Sequence, residues 1–316
     1  MRFTTLHGRR FRRLFLTVIA LVVLLQAGCG PEDYQKPIEQ FQDATAVVSD
    51  STRVFMGNMN LIEQNAQLDR LIFEKKPINL PVLNKLQIIS PDEIKIRCDA
   101  LDALAQYTVN LAQLAKGKEA AEVGESTKKL SDSIKTLSDD AKKLPGGFFD
   151  NAKFSGVASA AASAVGAVAQ LMVQHKARHE IEQSIENDDA AVTALIQLIS
   201  DEATASYLRQ QAQLGAYGDQ LSRDYDLEIK GNPDPILLLG FAREMKNYRA
   251  QQVQLSQANP TTALGKMKKA HEALVAYARS KKSPKNLKEL ITAAREFANA
   301  AEPLGKAVQG LISSAN

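Results

Sequence analysis

Long intervals without proline, each carrying apolar residues three and four positions apart, constrain this chain more than any other feature. Proline removes a backbone donor and clashes inside a helix, so such intervals are where long helices can run. There are 39 residues between Pro37 and Pro77, 53 between Pro91 and Pro145, and 87 between Pro145 and Pro233. The first interval holds Ile38, Phe41, Thr45, Val48, Thr52, Phe55, Met59, Ile62 and Ala66 in alternating steps of three and four. Leu101, Leu104, Thr108, Leu111 and Ala115 repeat the pattern, as do Leu130, Ile134, Leu137, Ala141 and Leu144. That spacing lays one apolar seam along a helix and suits it to a neighbouring long helix. A helix from Asp33 to Lys76 would be roughly 65 Å long, far beyond the helices of a compact globule.

Start and stop signals agree with this reading. Ser90-Pro91-Asp92-Glu93 combines a capping serine, proline at the first helical position and glutamate at the third, a capping box. Asp234-Pro235, Asn259-Pro260 and Ser283-Pro284 repeat the cap-then-proline order. Lys75-Lys76-Pro77, Leu144-Pro145-Gly146-Gly147 and Lys230-Gly231-Asn232-Pro233 read as stops. Asn187-Asp188-Asp189 offers a break with a new cap, so helices are expected near 151–186 and 189–229. Residues 77–90 are expected to form an extended apolar connection. Shorter helices should follow at about 235–257, 261–280 and 285–313, the last kinked at Pro303 while keeping its seam from Leu287 to Leu311.

The expected fold class is all-α, an elongated bundle of long antiparallel, coiled-coil-like helices. Its long-helix part would span 33–230, and the shorter helices of 231–316 would pack on the same bundle. The aromatic content of only 6% fits that architecture. The net charge of +3 misleads, because five arginines and no acids lie in the first 28 residues. Setting those five of the 39 basic residues aside leaves 34 against 36 acidic ones, a net of −2. A basic nucleic-acid-binding face has no footing in such a balance.

The first thirty residues read as an address. A cationic stretch to Arg13 precedes the apolar run Leu14–Leu25, and Ala27-Gly28 lead into Cys29. A basic start, a short apolar core and a small-residue exit are the parts of a secretory signal, and this core falls short of the ~20 residues a membrane span needs. Leu25-Gln26-Ala27-Gly28-Cys29 resembles the lipobox of bacterial lipoproteins, with Gln26 where an aliphatic residue is usual. The resemblance implies cleavage of residues 1–28 and a lipidated terminus with a short tether at 29–32. It further implies acyl chains, palmitate among them, on Cys29, and a location in the cell envelope facing the periplasm. Gly30, where an aspartate would signal inner-membrane retention, leans toward the outer membrane.

Residues 154–174 form an uncharged, Ala-rich stretch with the length of a membrane span, bounded by Lys153 and Lys176. Its small residues permit close helix approach. Three readings follow: a tightly packed core helix, an element that inserts in a bilayer, loosely similar to the hidden segment of helical-bundle pore-forming toxins, or a face on which a partner docks. Alanine and serine are poorly lipophilic, which favours the core helix.

Chemistry-bearing patterns are weak. His175 and His179 lie four apart, as metal ligands on a helix do, but Lys176 and Arg178 crowd the site with cations and no third ligand is indicated. His271 falls on the Leu264, Met267, Leu274, Ala278 seam, which reads as core. Ser126-Thr127-Lys128-Lys129 satisfies Ser-x-x-Lys, the motif of penicillin-binding enzymes, without its companions. Glu186, Asp188 and Asp189 read as caps and helix-dipole partners. With Cys29 acylated, Cys98 has no partner and is expected to be buried on the helix starting at Pro91, the alternative being an intermolecular disulfide. No phosphate loop, dinucleotide fingerprint or nucleophile elbow occurs.

The functional expectation is therefore a non-enzymatic, lipid-anchored envelope protein presenting a helical surface to a protein partner, with no cofactor, metal, nucleic acid or small-molecule substrate. Self-association through helix faces is the other partner expected. The stripe of Tyr207, Leu214, Tyr217, Leu221 and Tyr225 is either the partner contact or ordinary core. The alternative function is a membrane-active bundle that inserts residues 154–174.

Overall fold

A computed structural model of the chain describes residues 31–73, 76–79, 81, 89–115, 153–157, 159, 160, 163, 179–231, 233–280 and 283–315. All the regular elements among them are helices: α1 (Pro31–Phe73), α2 (Pro91–Ala115), α3 (His179–Lys230), α4 (Pro235–Gln257), α5 (Thr261–Arg279) and α6 (Pro284–Ala315). The fold is all-α. With 43 residues α1 is roughly 65 Å long, and α3, with 52, is roughly 78 Å.

The seams read from spacing are the core. Ile38, Phe41, Thr45, Val48, Thr52 and Phe55 of α1 are buried, as are Leu101, Leu104, Thr108, Leu111 and Ala115 of α2. Leu290, Ala294, Phe297, Ala301, Leu304 and Val308 of α6 join the same interior. The Leu130–Leu144 seam lies outside the described residues. Of the expected extended connection 77–90, residues 77–79 and 89–90 are non-helical, while Pro81 is helical, against that expectation.

Cross-contacts fix the directions. Asn60 bonds both backbone groups of Ile89, while Ser49 donates to the Leu101 carbonyl and Arg53 pairs with Asp102, so α2 returns antiparallel to α1. Arg97 pairs with Glu202, and Tyr107 packs on His271 beside Asp189, so α3 is antiparallel to α2 and parallel to α1. Tyr217 meets Tyr248 and Tyr225 meets Phe241, making α3 and α4 an antiparallel hairpin. From there α5 continues in the same direction as α4, and α6 returns against α5, where Lys266 pairs with Glu296. Phe41 packs on Phe297 and Val47 lies beside Gly305, so α6 runs parallel to α1, its most extensive neighbour. The pairs α1–α2, α3–α4 and α5–α6 are thus antiparallel, while α1 is flanked by two parallel partners.

Three local expectations need correction. No break occurs at Asn187-Asp188-Asp189, because α3 runs through it without interruption. The core continues across that point through Ile185, Val192, Leu195 and Ile196, and the Asp189 carboxylate is engaged with α5 instead of its own backbone. At the other end of the chain, α1 contains Pro37 as a start at Asp33 implied, but begins at Pro31, inside the stretch 29–32 expected as a tether. Pro37 leaves only the Asp33 carbonyl without its helical donor, in the first turns of the helix. Cys98 is half-buried, not buried, with Arg53 beside it. Pro303 is likewise passed by α6, on a solvent-facing turn where water can serve the Asn299 carbonyl.

Three of the four cap signals are met by side-chain bonds. Ser90 N–H donates to Glu93 Oε2 at 2.8 Å and Glu93 N–H to Ser90 Oγ at 3.2 Å, the reciprocal pair of a capping box. Asp234 Oδ1 accepts from Ile236 N–H at 2.8 Å, and Asn259 Oδ1 from Thr261 N–H at 2.9 Å. Among the described residues no helix is long and apolar enough to cross a membrane.

Candidate functional site

Three places in the described structure concentrate chemistry or unspent surface. The first is a buried charge cluster where α2, α3 and residue 154 meet. Arg97 Nε donates to Glu202 Oε2 at 2.8 Å and its Nη2 to Oε1 at 3.0 Å, a two-point pairing of planar groups. A third guanidinium nitrogen, Nη1, donates to the Glu93 carbonyl at 3.1 Å. The Phe154 ring lies under the guanidinium carbon at 4.9 Å and is itself fully buried. Burial pushes the Glu202 carboxyl above its ordinary range, and the Arg97 charge opposes that push. Every part of this cluster faces protein, so its chemistry is structural.

The second place is the α3–α5 contact. Asp189 accepts from Thr193 Oγ1 at 3.1 Å, pairs with Arg279 at 3.0 Å, and stands 3.5 Å from His271 Nε2. His271 is completely buried with the Tyr107 ring edge-on, as its place on the seam implies. Burial pushes its imidazole down from 6.5 to about 4, with Asp189 pulling the other way. A neutral histidine sealed from solvent cannot exchange protons with a substrate. Asp189, read from sequence as a cap, is instead a cross-helix acceptor.

Cys98 also belongs to this inventory. Burial raises its thiol above the ordinary value, and the neighbouring Arg53 guanidinium works against that. A raised thiol is a poor nucleophile at neutral pH.

The Tyr/Leu stripe of α3 is turned inward. Tyr207, Leu214 and Leu221 are buried; Tyr207 stacks on Phe55 of α1, and Tyr217 and Tyr225 meet Tyr248 and Phe241 of α4. Gly218 allows that approach, because a Cβ there would lie on the Tyr248 ring. The stripe is therefore occupied within the molecule.

The third place, which the sequence reading did not single out, is the tip of the α3–α4 hairpin. Leu227 and Ile229 near the end of α3 and Ile236, Leu237 and Leu239 at the start of α4 are exposed. The signal was available: Ile236-Leu237-Leu238-Leu239 are four consecutive aliphatic residues, which no helix can bury on one face.

Other sequence candidates fall elsewhere. Cys29, Ser126, Lys129 and His175 lie outside the described residues, and the His179 side chain, at the start of α3, is outside them too. Of 154–174, Phe154 is buried in the main core while Gly156, Ala160 and Ser163 are exposed. Among the described residues no three His, Cys, Asp or Glu side chains are grouped to hold a metal ion. Comparison with family models, with characterised proteins and with solved structures finds no match.

Proposed function

We propose that this chain is a non-enzymatic, lipid-anchored protein of a bacterial cell envelope that holds a stiff helical bundle out from a membrane for a protein partner. The observation that carries the reading is the short distance between the lipobox and the bundle. Cys29 closes Leu25-Gln26-Ala27-Gly28-Cys29, and α1 begins at Pro31, with Gly30 alone between them. An acyl group on Cys29 would therefore be joined almost directly to a helix roughly 65 Å long. Several acyl chains on one residue hold stably, since each buried CH₂ contributes about 0.8 kcal/mol. Gly30 in place of aspartate favours the outer membrane, with the bundle facing the periplasm.

The absence of a catalytic signature in the sequence supports a binding role over an enzymatic one. Insertion of residues 154–174 gains no support from Phe154, which is buried against Arg97. Cell fractionation tests the proposal. The wild-type chain is expected in the membrane fraction, carrying label from an alkyne palmitate analogue, and Cys29→Ser is expected to lose the label. A wild-type chain found unlabelled in the soluble fraction would overturn it.

A further inference from the structure

Chain connection divides the described helices into two groups. Between α1 and α2 there are 17 residues, and α3 to α6 are joined by turns of three or four, whereas 63 residues separate Ala115 from His179. A connection of that length reaches past several helix turns, so it does not fix how far α1 and α2 stand along the other four helices. The apolar seams do not fix it alone either. A seam that repeats every seven residues meets an equivalent seam again after a slide of about 10 Å.

Three aromatic contacts cross between the groups: Phe41 on Phe297, Phe55 on Tyr207 and Tyr107 on His271. If α1 and α2 slide one heptad toward the α3–α4 hairpin, these rings meet Leu304, Leu214 and Leu264, all of them buried. In the opposite slide they meet Leu290, Ser200 and Ala278. Cores accept such exchanges of neighbours at modest cost. Arg97 does not. The first slide sets it against Arg209 in place of Glu202, and the second against Leu195. Slips of three or four residues bring Leu198, Ile199, Ala205 or Ser206 to the same place. The guanidinium is almost wholly buried, so each of these alignments leaves a charge unpaired in a dry site.

We propose that the Arg97–Glu202 pair is a register lock: it selects, among alignments that the apolar seams accept almost equally, the one in which α1 and α2 stand against α3 to α6. A single polar position in an apolar interface fixes helix register in the same way. The lock sets how far the α3–α4 hairpin reaches beyond the start of α1, and it rests on no part of the tethered reading.

The test is a distance measurement by pulsed electron resonance on the full-length chain. Spin labels are carried on noncanonical residues at the exposed Asp43 of α1 and Ser222 of α3. Because Phe55 stands beside Tyr207, these positions lie roughly 40 Å apart along the bundle, and a heptad slide moves that distance by about 10 Å. The wild-type chain is expected to give one distance. Arg97→Met with Glu202→Leu should keep its helix content and show a second distance, about 10 Å away, in a tenth or more of the molecules. Glu202→Leu with Leu195→Glu moves the carboxylate by one heptad and should lengthen the main distance by about 10 Å. A single, unchanged distance in the Met/Leu variant would overturn the proposal. So would its unfolding, because the pair would then hold stability and not alignment, and so would a relocated carboxylate that leaves the distance where it was. If the relocated variant does not fold, the Met/Leu variant decides.

Discussion

Arg97 and Glu202 stand 105 positions apart in the chain and form a two-point pair that is almost wholly buried. Removing one partner leaves an uncompensated charge in a dry site, which typically costs about 3–5 kcal/mol. Arg97→Ala should therefore lose most of that in urea unfolding at pH 7, while Arg97→Met combined with Glu202→Leu should recover most of the loss. Single replacements costing under about 1 kcal/mol would show that water reaches the pair. His271 predicts a pH effect with a definite sign. Its folded value of about 4 lies below the ordinary 6.5, so an unfolded chain binds the proton first as pH falls. Its contribution is complete above about 6.5, declines toward 4, and amounts to a difference on the order of 3 kcal/mol. His271→Leu should flatten this part of the profile when unfolding at pH 7.5 is compared with pH 5. An undiminished slope in the variant would assign the effect elsewhere. The burial of His271 could be read from its place on an apolar seam. Its meeting with Asp189 could not, nor could the Arg97–Glu202 pair, because a partner a hundred residues away leaves no periodic trace.

Helix limits were most legible where backbone chemistry is local. Asp234-Pro235 and Ser90-Pro91-Asp92-Glu93 mark the starts of α4 and α2, because a capping oxygen and a missing donor act within a single turn. The same logic misplaced a break at Asn187–Asp189, where a long-range acceptor role prevails over the local one and the core seam continues. The Tyr/Leu stripe shows the limit of periodicity. Spacing identified an apolar face on α3, but not that α1 and α4 cover it. At Gly218 the far end of the Tyr248 ring lies where a Cβ would stand. That end belongs to a flexible, half-exposed side chain, so Gly218→Ala should turn the ring aside at little cost and gain roughly 1 kcal/mol in helix propensity. Thermal unfolding followed by circular dichroism checks the sign; a variant less stable than wild type would mean that the Tyr248 ring is held firmly against α3.

Among the described residues the helices have two ends with different chemistry. Near one, α1 begins two residues after Cys29; at the other, the α3–α4 hairpin closes with exposed Ile236, Leu237 and Leu239. The all-α class and the long helices were legible because a three-four apolar stripe over dozens of residues has few other solutions. The parallel placement of α3 and α6 beside α1 was not, since each pairing depends on seams equally suited to several neighbours. The tip was missed for a related reason: Ile236–Leu239 read only as the opening of a helix until the neighbours of α4 were known. Both ends matter to the tethered account, but it stands or falls on the first. The direct measurement is the intact mass and sequence of the amino-terminal peptide of the protein purified from membranes. The account predicts a chain beginning at Cys29 with diacylglycerol on its sulfur, and an unprocessed leader in Cys29→Ser. A mature chain that begins at any other residue, or an unmodified Cys29, would contradict it.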